Sequence, residues 1–329
     1  MMKYIIKVIV TIVLVACLFT GCCKQNEIDM KNLYSDKVNF NNYSNNNSVD
    51  FKQDKGVILK CSSLNDKLII FDEGKTIDTI DSASISQCQI HDSGVYYVSA
   101  GKLLFWNFKT KTNITIIEKV NSFVLHNDMI VCSMHDNKLV LLDYDYNEVF
   151  IVEDALNYAV TNEFIYYTSL DDVLFRLTLS DFTKSEELVK FDIARYPYSI
   201  NVSDSKVIID QGIKFLIYDH ENARSEIKQC LTPSVTEQNY KYEVQSFICS
   251  ESKIYYCGYM SKYSGSFSSK AKSEYNGVYV IDLFSSEIEK ISSNTYSELY
   301  NFGENLFGIR DDTLYIIDIN DGSEKQVYK

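Results

Sequence analysis

Breakers, tryptophan and positive charge are all scarce in this sequence. Its 329 residues include two Pro, twelve Gly and one Trp, Trp106. So few breakers argue against a loop-dominated chain, and 25 Tyr and 18 Phe favour strands. Lys and Arg number 32 against 45 Asp and Glu, a net charge of −13. That balance argues against a nucleic-acid binder and against a polybasic membrane-surface protein. Apolar residues make up 46%, which excludes general disorder and leaves enough for a sizeable core. No CxxC pair occurs and the four His do not cluster with Cys, so a zinc site has no basis. There is no GxSxG, and no Ser with His and Asp partners in a recognisable catalytic context.

The N-terminus carries an address. Lys3 and Lys7 precede an apolar run from Val8 to Thr20, the layout of a secretory signal. The run ends at Phe19-Thr20-Gly21-Cys22, before the polar Lys24-Gln25-Asn26-Glu27. This resembles the lipobox of bacterial lipoproteins, which implies lipidation of the Cys22 thiol and removal of residues 1–21. Leu14-Val15-Ala16-Cys17 matches the lipobox letters better, but cleavage there leaves Leu18 and Phe19 apolar on the mature end. Cys22 is therefore preferred to Cys17. Residues 22–49, with Asn39-Phe40-Asn41-Asn42-Tyr43-Ser44-Asn45-Asn46-Asn47-Ser48, read as a flexible Asn/Ser-rich tether. The expected location is the outer face of the cytoplasmic membrane, held by the lipid. Cleavage removes Lys3 and Lys7 and leaves −15, so the acidic body is expected to stand off an anionic leaflet.

Self-comparison of residues 50–329 finds one unit repeated seven times. Its mark is five residues, the first four mostly apolar and the last usually Asp. The copies end at Asp72, Asn107, Asp143, Thr178, Asp219, Asp282 and Asp318, in steps of 35, 36, 35, 41, 63 and 36. A second apolar run precedes each copy, as in Val95-Tyr96-Tyr97, Ile165-Tyr166-Tyr167 and Ile254-Tyr255-Tyr256. A further strand lies upstream, such as Ser122-Phe123-Val124-Leu125, and a weaker one downstream, such as Val149-Phe150-Ile151-Val152. Four short strands per unit at this period predict an all-β β-propeller of seven four-stranded blades, six or eight being the neighbouring counts. The Asp closing the third strand suits a hairpin turn, where its carboxylate caps nearby N–H groups.

Ile165-Tyr166-Tyr167-Thr168-Ser169 resembles the YWTD repeat of low-density-lipoprotein-receptor propellers. It is more similar to bacterial lipoprotein propellers of unassigned function with IYY-type repeats. The resemblance implies a propeller over residues 50–329 and no ligand set, since Tyr167 and Ser169 replace the Trp and Asp of the motif. A single Trp also removes the WD40, quinoprotein and sialidase types, and the lack of Gly-Gly removes kelch.

Six body cysteines, Cys61, Cys88, Cys132, Cys230, Cys249 and Cys257, sit largely in apolar runs and are expected to be free, buried thiols. A turn at Glu251-Ser252 would set Cys257 opposite Ser246 rather than Cys249. Asp143-Tyr144-Asp145-Tyr146-Asn147 has the opening spacing of a calcium loop, but Glu148 and Asp154 stand where Gly and Glu belong. A hairpin turn is the simpler expectation. No metal and no cofactor are expected.

The long step of 63 holds two insertions, Leu231–Lys241 and Gly258–Asn276. One enters the sixth unit's first strand and the other joins its second and third, so both should emerge at one rim position. They read as adaptable binding loops, with Tyr240, Tyr242, Tyr259, Tyr263, Phe267 and Tyr275 among Ser and Gly. Lys262, Lys270 and Lys272 against Glu274 give the second a local charge of +2. The expected function is a surface-held binding module for an extracellular protein or glycan, without catalysis. The alternatives are a polysaccharide- or wall-acting hydrolase or lyase, and a scaffold in an envelope complex.

Overall fold

The computed structural model describes residues 49–328 apart from 53–56, 63–66, 73–74, 83, 92, 127–128, 192–198, 204–205, 231–239, 251, 265–266, 272, 303–304 and 312. The signal segment, Cys17, Cys22 and nearly all of the expected tether lie outside it.

Every described element is a strand, and the strands form successive antiparallel sheets in chain order. Sheet 1 comprises Val49–Lys52, Val57–Ser62, Lys67–Asp72 and Lys75–Asp81. Six blades follow, each built on four strands. Sheet 2 is Ile85–His91, Gly94–Ser99, Lys102–Asn107 and Asn113–Glu118. Sheet 3 is Val120–His126, Met129–Met134, Leu139–Leu142 and Glu148–Val152. Sheet 4 is Ala155–Val160, Phe164–Ser169, Val173–Thr178 and Ser185–Lys190. Sheet 5 is Ile200–Ser203, Lys206–Asp210, Lys214–Asp219 and Arg224–Gln229. Sheet 6 is Tyr240–Ser250, Lys253–Ser264, Gly277–Asp282 and Ile288–Ser292, with Phe267–Ala271 added beside its second strand. Sheet 7 is Glu298–Phe302, Asn305–Arg310, Thr313–Ile317 and Glu324–Tyr328. The chain is an all-β propeller of four-stranded blades.

There is no single core. Each sheet buries apolar side chains against the next, so the second strands are apolar on both faces: all six residues of Gly94–Ser99 are buried. Tyr97 and Cys88 pack on Leu68 and Ile80 of sheet 1, and Tyr96 and Phe105 pack toward Phe123 and Cys132 of sheet 3. Fourth strands face solvent and carry charge, as in Ser185–Lys190 and Arg224–Gln229. Such charge discourages pairing at an outer edge.

Polar side chains on first strands tie neighbouring sheets together. Gln87 Nε2 donates to the Phe123 carbonyl (2.7 Å) and its Oε1 accepts from the Phe123 N–H (2.8 Å). Gln89 Oε1 accepts from the Leu125 N–H (2.7 Å). Between sheets 6 and 7, Ser246 Oγ accepts from the Leu299 N–H (3.0 Å) and Cys257 Sγ from that of Tyr296 (3.1 Å).

The turn residues behave as their chemistry requires. Asp219 Oδ1 accepts from the N–H groups of Glu221 and Asn222, and Asp282 Oδ1 from those of Phe284 and Ser285. Asp143 likewise accepts from Asp145 and Asn147, so the calcium-like segment is a capped turn. Its Tyr144 and Tyr146 fold back on Tyr96. Cys88, Cys132, Cys230, Cys249 and Cys257 are buried thiols outside any disulfide, and Cys257 stands opposite Ser246. Burial pushes the Cys132 thiol up to about 12.

Candidate functional site

Sheet 6 departs from its neighbours in length. Its first two strands have 11 and 12 residues, where the other sheets use four to seven. The excess is ordered: Tyr240 pairs Lys262, Tyr242 pairs Met260, and Tyr263 pairs Ser268 across a tight hairpin. This corrects the expectation of loops. The second insertion and the last two residues of the first, Tyr240 and Lys241, form a three-stranded extension of the sheet, while residues 231–239 of the first insertion lie outside the described residues. The sequence hid this because Ser and Gly mask a period-two pattern. The signal available was β-rich Tyr240-Lys241-Tyr242-Glu243-Val244, which opens the first strand.

The candidate residues separate into two groups. Tyr242 is 7% exposed and belongs to the core with Phe247, Tyr256 and Met260, which removes it from the contact surface. It points inward because Gly258, the cross-strand partner of Val244, leaves space for its ring, and a Cβ at Gly258 would lie 1.8 Å from the Tyr242 hydroxyl. Among the described residues that hydroxyl has no hydrogen-bond partner, and burial drives its pKa well above the ordinary phenol value. Tyr240 and Tyr275 are half-buried against the same core. Asn276 fixes the base of the hairpin, accepting from the Met260 N–H (2.8 Å) and donating to the Ala271 carbonyl (2.7 Å).

The outer group keeps its polar ends in solvent. Lys262 is exposed over the Tyr240 ring (5.5 Å), and Lys270 over that of Tyr259 (4.6 Å). The Lys270 ammonium also donates to Gln245 and Thr295, both at 3.0 Å, and Tyr259 donates to Glu243 (2.9 Å). Each ring is capped by a lysine, Tyr240 with Lys262 on one face of the extension and Tyr259 with Lys270 on the other. Tyr263 and Phe267 lie on the two hairpin strands, and Lys272 falls outside the described residues.

Two other clusters are structural in character. Tyr166 is fully buried between sheets 4 and 5, its hydroxyl 3.1 Å from His220 Nδ1, with Arg176 bonded to Glu186 nearby. Glu324 ties sheet 7 to the segment before it, accepting from Ser292, Asn294 and Tyr296 and pairing with Arg310 (2.9 Å). A cleft of about 210 Å³ between sheets 6 and 7 is lined by Lys253, Tyr255, Glu289, Ile291, Ile319 and Asn320, among others. Among the described residues, no three His, Cys, Asp or Glu side chains converge as metal ligands.

No family model matches the sequence, and no curated protein matches it. Solved structures do resemble it. Hsv2 from Kluyveromyces marxianus aligns over 87% of this chain and all of its own, at a TM-score of 0.60 and 12% identity. Kluyveromyces lactis Hsv2 with its complete loop 6CD aligns over 84% and 90%, at 0.54 and 12%. A chain of the S. cerevisiae Dbp5–Nup159–Gle1 complex aligns over 88% and 91%, at 0.53 and 13%. At such identities the likeness is one of fold: these chains share a propeller, and nothing about ligand passes from one to another.

Proposed function

We propose that this chain is a lipid-anchored, extracytoplasmic propeller whose seven sheets close into one ring, and that it works by binding a partner. The observation that carries the reading is the sheet 6 extension. A repeat that holds a near-constant length elsewhere spends its extra residues on one strand extension, with Lys262 on one of its faces and Lys270 and Tyr259 on the other. Surplus lysine on a body of net charge −13 favours an anionic partner, an extracellular glycan or protein included.

The test follows the register. Lys262 and Ser269 are cross-strand partners, so residues 263–268 can be replaced by Asn-Gly, which closes a two-residue hairpin. Combined with Lys262→Glu and Lys270→Glu, this variant should fold and lose binding to cells or wall material in a pull-down. Unchanged binding refutes the surface. For the anchor, Cys22→Ala should release the protein or leave it unprocessed, while a normal mature mass with full membrane retention points to Cys17.

A further inference from the structure

We propose that the cleft between sheets 6 and 7 binds one ring of a neutral saccharide. This site is separate from the sheet 6 extension and goes beyond the reading above. The extension prolongs the start of the first strand and the end of the second. The cleft lies at the other end of the blade. There Lys253 begins the second strand, Glu289 stands near the start of the fourth, and Ile319 and Asn320 occupy the turn after the third strand of sheet 7.

Equivalent interfaces give the first argument. Tyr96, Tyr166 and Tyr255 hold the same place in the second strands of sheets 2, 4 and 6, and each packs toward the following sheet. At sheets 2 and 3 the turn after the third strand brings the Tyr146 hydroxyl to that of Tyr96 (3.3 Å). At sheets 4 and 5 the same turn brings His220 Nδ1 to the Tyr166 hydroxyl (3.1 Å). At sheets 6 and 7 it brings Ile319 and Asn320, and a cleft of about 210 Å³ lies beside Tyr255. Among the described residues the Tyr255 hydroxyl has no hydrogen-bond partner. Two interfaces thus hold a polar ring at this position, and the third has room for one. The volume is below the roughly 300–1,000 Å³ of a pocket for a drug-sized ligand.

The second argument is the set of polar groups around the cleft. In sheet 4 the row across the second, third and fourth strands is Tyr166, Arg176 and Glu186, and Arg176 pairs with Glu186 at 2.5 Å. In sheet 6 the same row is Tyr255, Val280 and Glu289. With valine in the place of arginine, Glu289 has no ion-pair partner among the described residues. Lys253 stands where sheets 2 and 4 have Gly94 and Phe164, and among the described residues it makes no ion pair. Its cross-strand neighbour Asp282 accepts from its own turn, at Phe284 and Ser285. Asp318 Oδ1 accepts from the Asn320 N–H (2.8 Å) and Nδ2 (3.1 Å), which leaves the amide oxygen as an acceptor. The Lys253 ammonium donates, Glu289 and Asn320 accept, and Tyr255 does both. A phenol or an imidazole answers one of these groups. A pyranose answers several, with hydroxyls around its rim, and its C–H faces suit the apolar Val280 and Ile319. Lys253 and Glu289 cancel in charge, which favours a neutral ring. The turn is held tightly, since a Cβ at Gly322 would lie 2.0 Å from the Ile291 carbonyl. The wall is therefore preformed, and little ordering opposes binding.

The full chain, in a detergent without a sugar headgroup, is titrated by calorimetry with neutral oligomers of glucose, galactose, mannose and N-acetylglucosamine. At least one series should bind with a dissociation constant of about 1 mM or tighter. Lys253→Met and Glu289→Ala should each weaken it about tenfold, the effect of losing one hydrogen bond to a charged group. Val280→Arg rebuilds the sheet 4 row, pairs with Glu289 and fills the cleft, so it should abolish binding without lowering the melting temperature. Lys262→Glu with Lys270→Glu should change nothing, which separates this site from the extension. No binding of any series at about 10 mM overturns the inference. So does binding that Lys253→Met and Glu289→Ala leave intact, whether or not Val280→Arg folds. Free amino acids bound through Lys253 and Glu289 in place of the oligomers would make this a site for zwitterions, and the saccharide falls.

Discussion

Tyr242 and Gly258 show how narrow the tolerance is at a single position. The Tyr242 ring occupies the space that any side chain at 258 would need. Gly258→Ala should therefore cost about 2–4 kcal/mol, since both partners lie in the core and the ring cannot leave without opening a cavity. Tyr242→Phe removes a buried hydroxyl that has no partner among the described residues and should be neutral or stabilising by about 1 kcal/mol. Urea unfolding of the two variants checks both values. Asp210 adds a pH-dependent case. Burial raises its carboxyl to about 6, opposed only by the Gly212 N–H. A folded value above the unfolded one means that the native state holds the proton more tightly. The associated stability is present below the ordinary 3.8 and is lost as pH rises through 6. Asp210→Asn keeps an acceptor for Gly212 and carries no charge. It should match the parent near pH 4 and exceed it by about 1–3 kcal/mol at pH 8. A gain that is equal at both pH values would assign the effect to something other than titration.

The strand and the hairpin are where sequence and structure can be compared piece by piece. Replacing 263–268 by Asn-Gly should leave the melting temperature within about 2 °C of the parent, because the removed residues lie beyond Met260, the last core residue of that strand. A larger fall would show that the tip braces the sheet. The four-strand unit was legible because short continuous apolar runs and capping Asp residues are local features, the caps repeated at Asp143, Asp219 and Asp282. The pairing of Cys257 with Ser246 was legible for the same reason, since one turn fixes the register. The extension was legible in position and not in form. Its Ser and Gly resemble a loop, and its strands exist because the first and second strands already lie side by side at its base. The inward turn of Tyr242 depends on Gly258, sixteen residues away, a long-range match that composition does not reveal. The Gln87 clamp on Phe123 was likewise invisible, because a polar residue on an inner strand reads as solvent-facing until the neighbouring sheet is in place.

Across the whole molecule, stability is a chain of shared interfaces, with each apolar cluster belonging half to one sheet and half to the next. The cluster between sheets 6 and 7 makes the consequence concrete. Ile248, Tyr255, Cys257 and Val278 from sheet 6 meet Tyr296, Leu299, Leu306 and Ile317 from the C-terminal part of the chain. Deleting residues 305–329 removes Leu306 and Ile317 and leaves Glu298–Phe302 without its strand partner. It also removes Arg310 and Glu324, whose pair anchors Ser292, Asn294 and Tyr296. The Tyr296 ring, packed over Gly308, loses the strand it rests on. Two apolar side chains lost at about 2–5 kcal/mol each already match the stability of an ordinary domain. The truncated chain should therefore lose its cooperative melt by circular dichroism and accumulate in the insoluble fraction. A soluble truncation with an unchanged transition would mean that sheet 7 is an appendage, and that the remaining sheets stand without it.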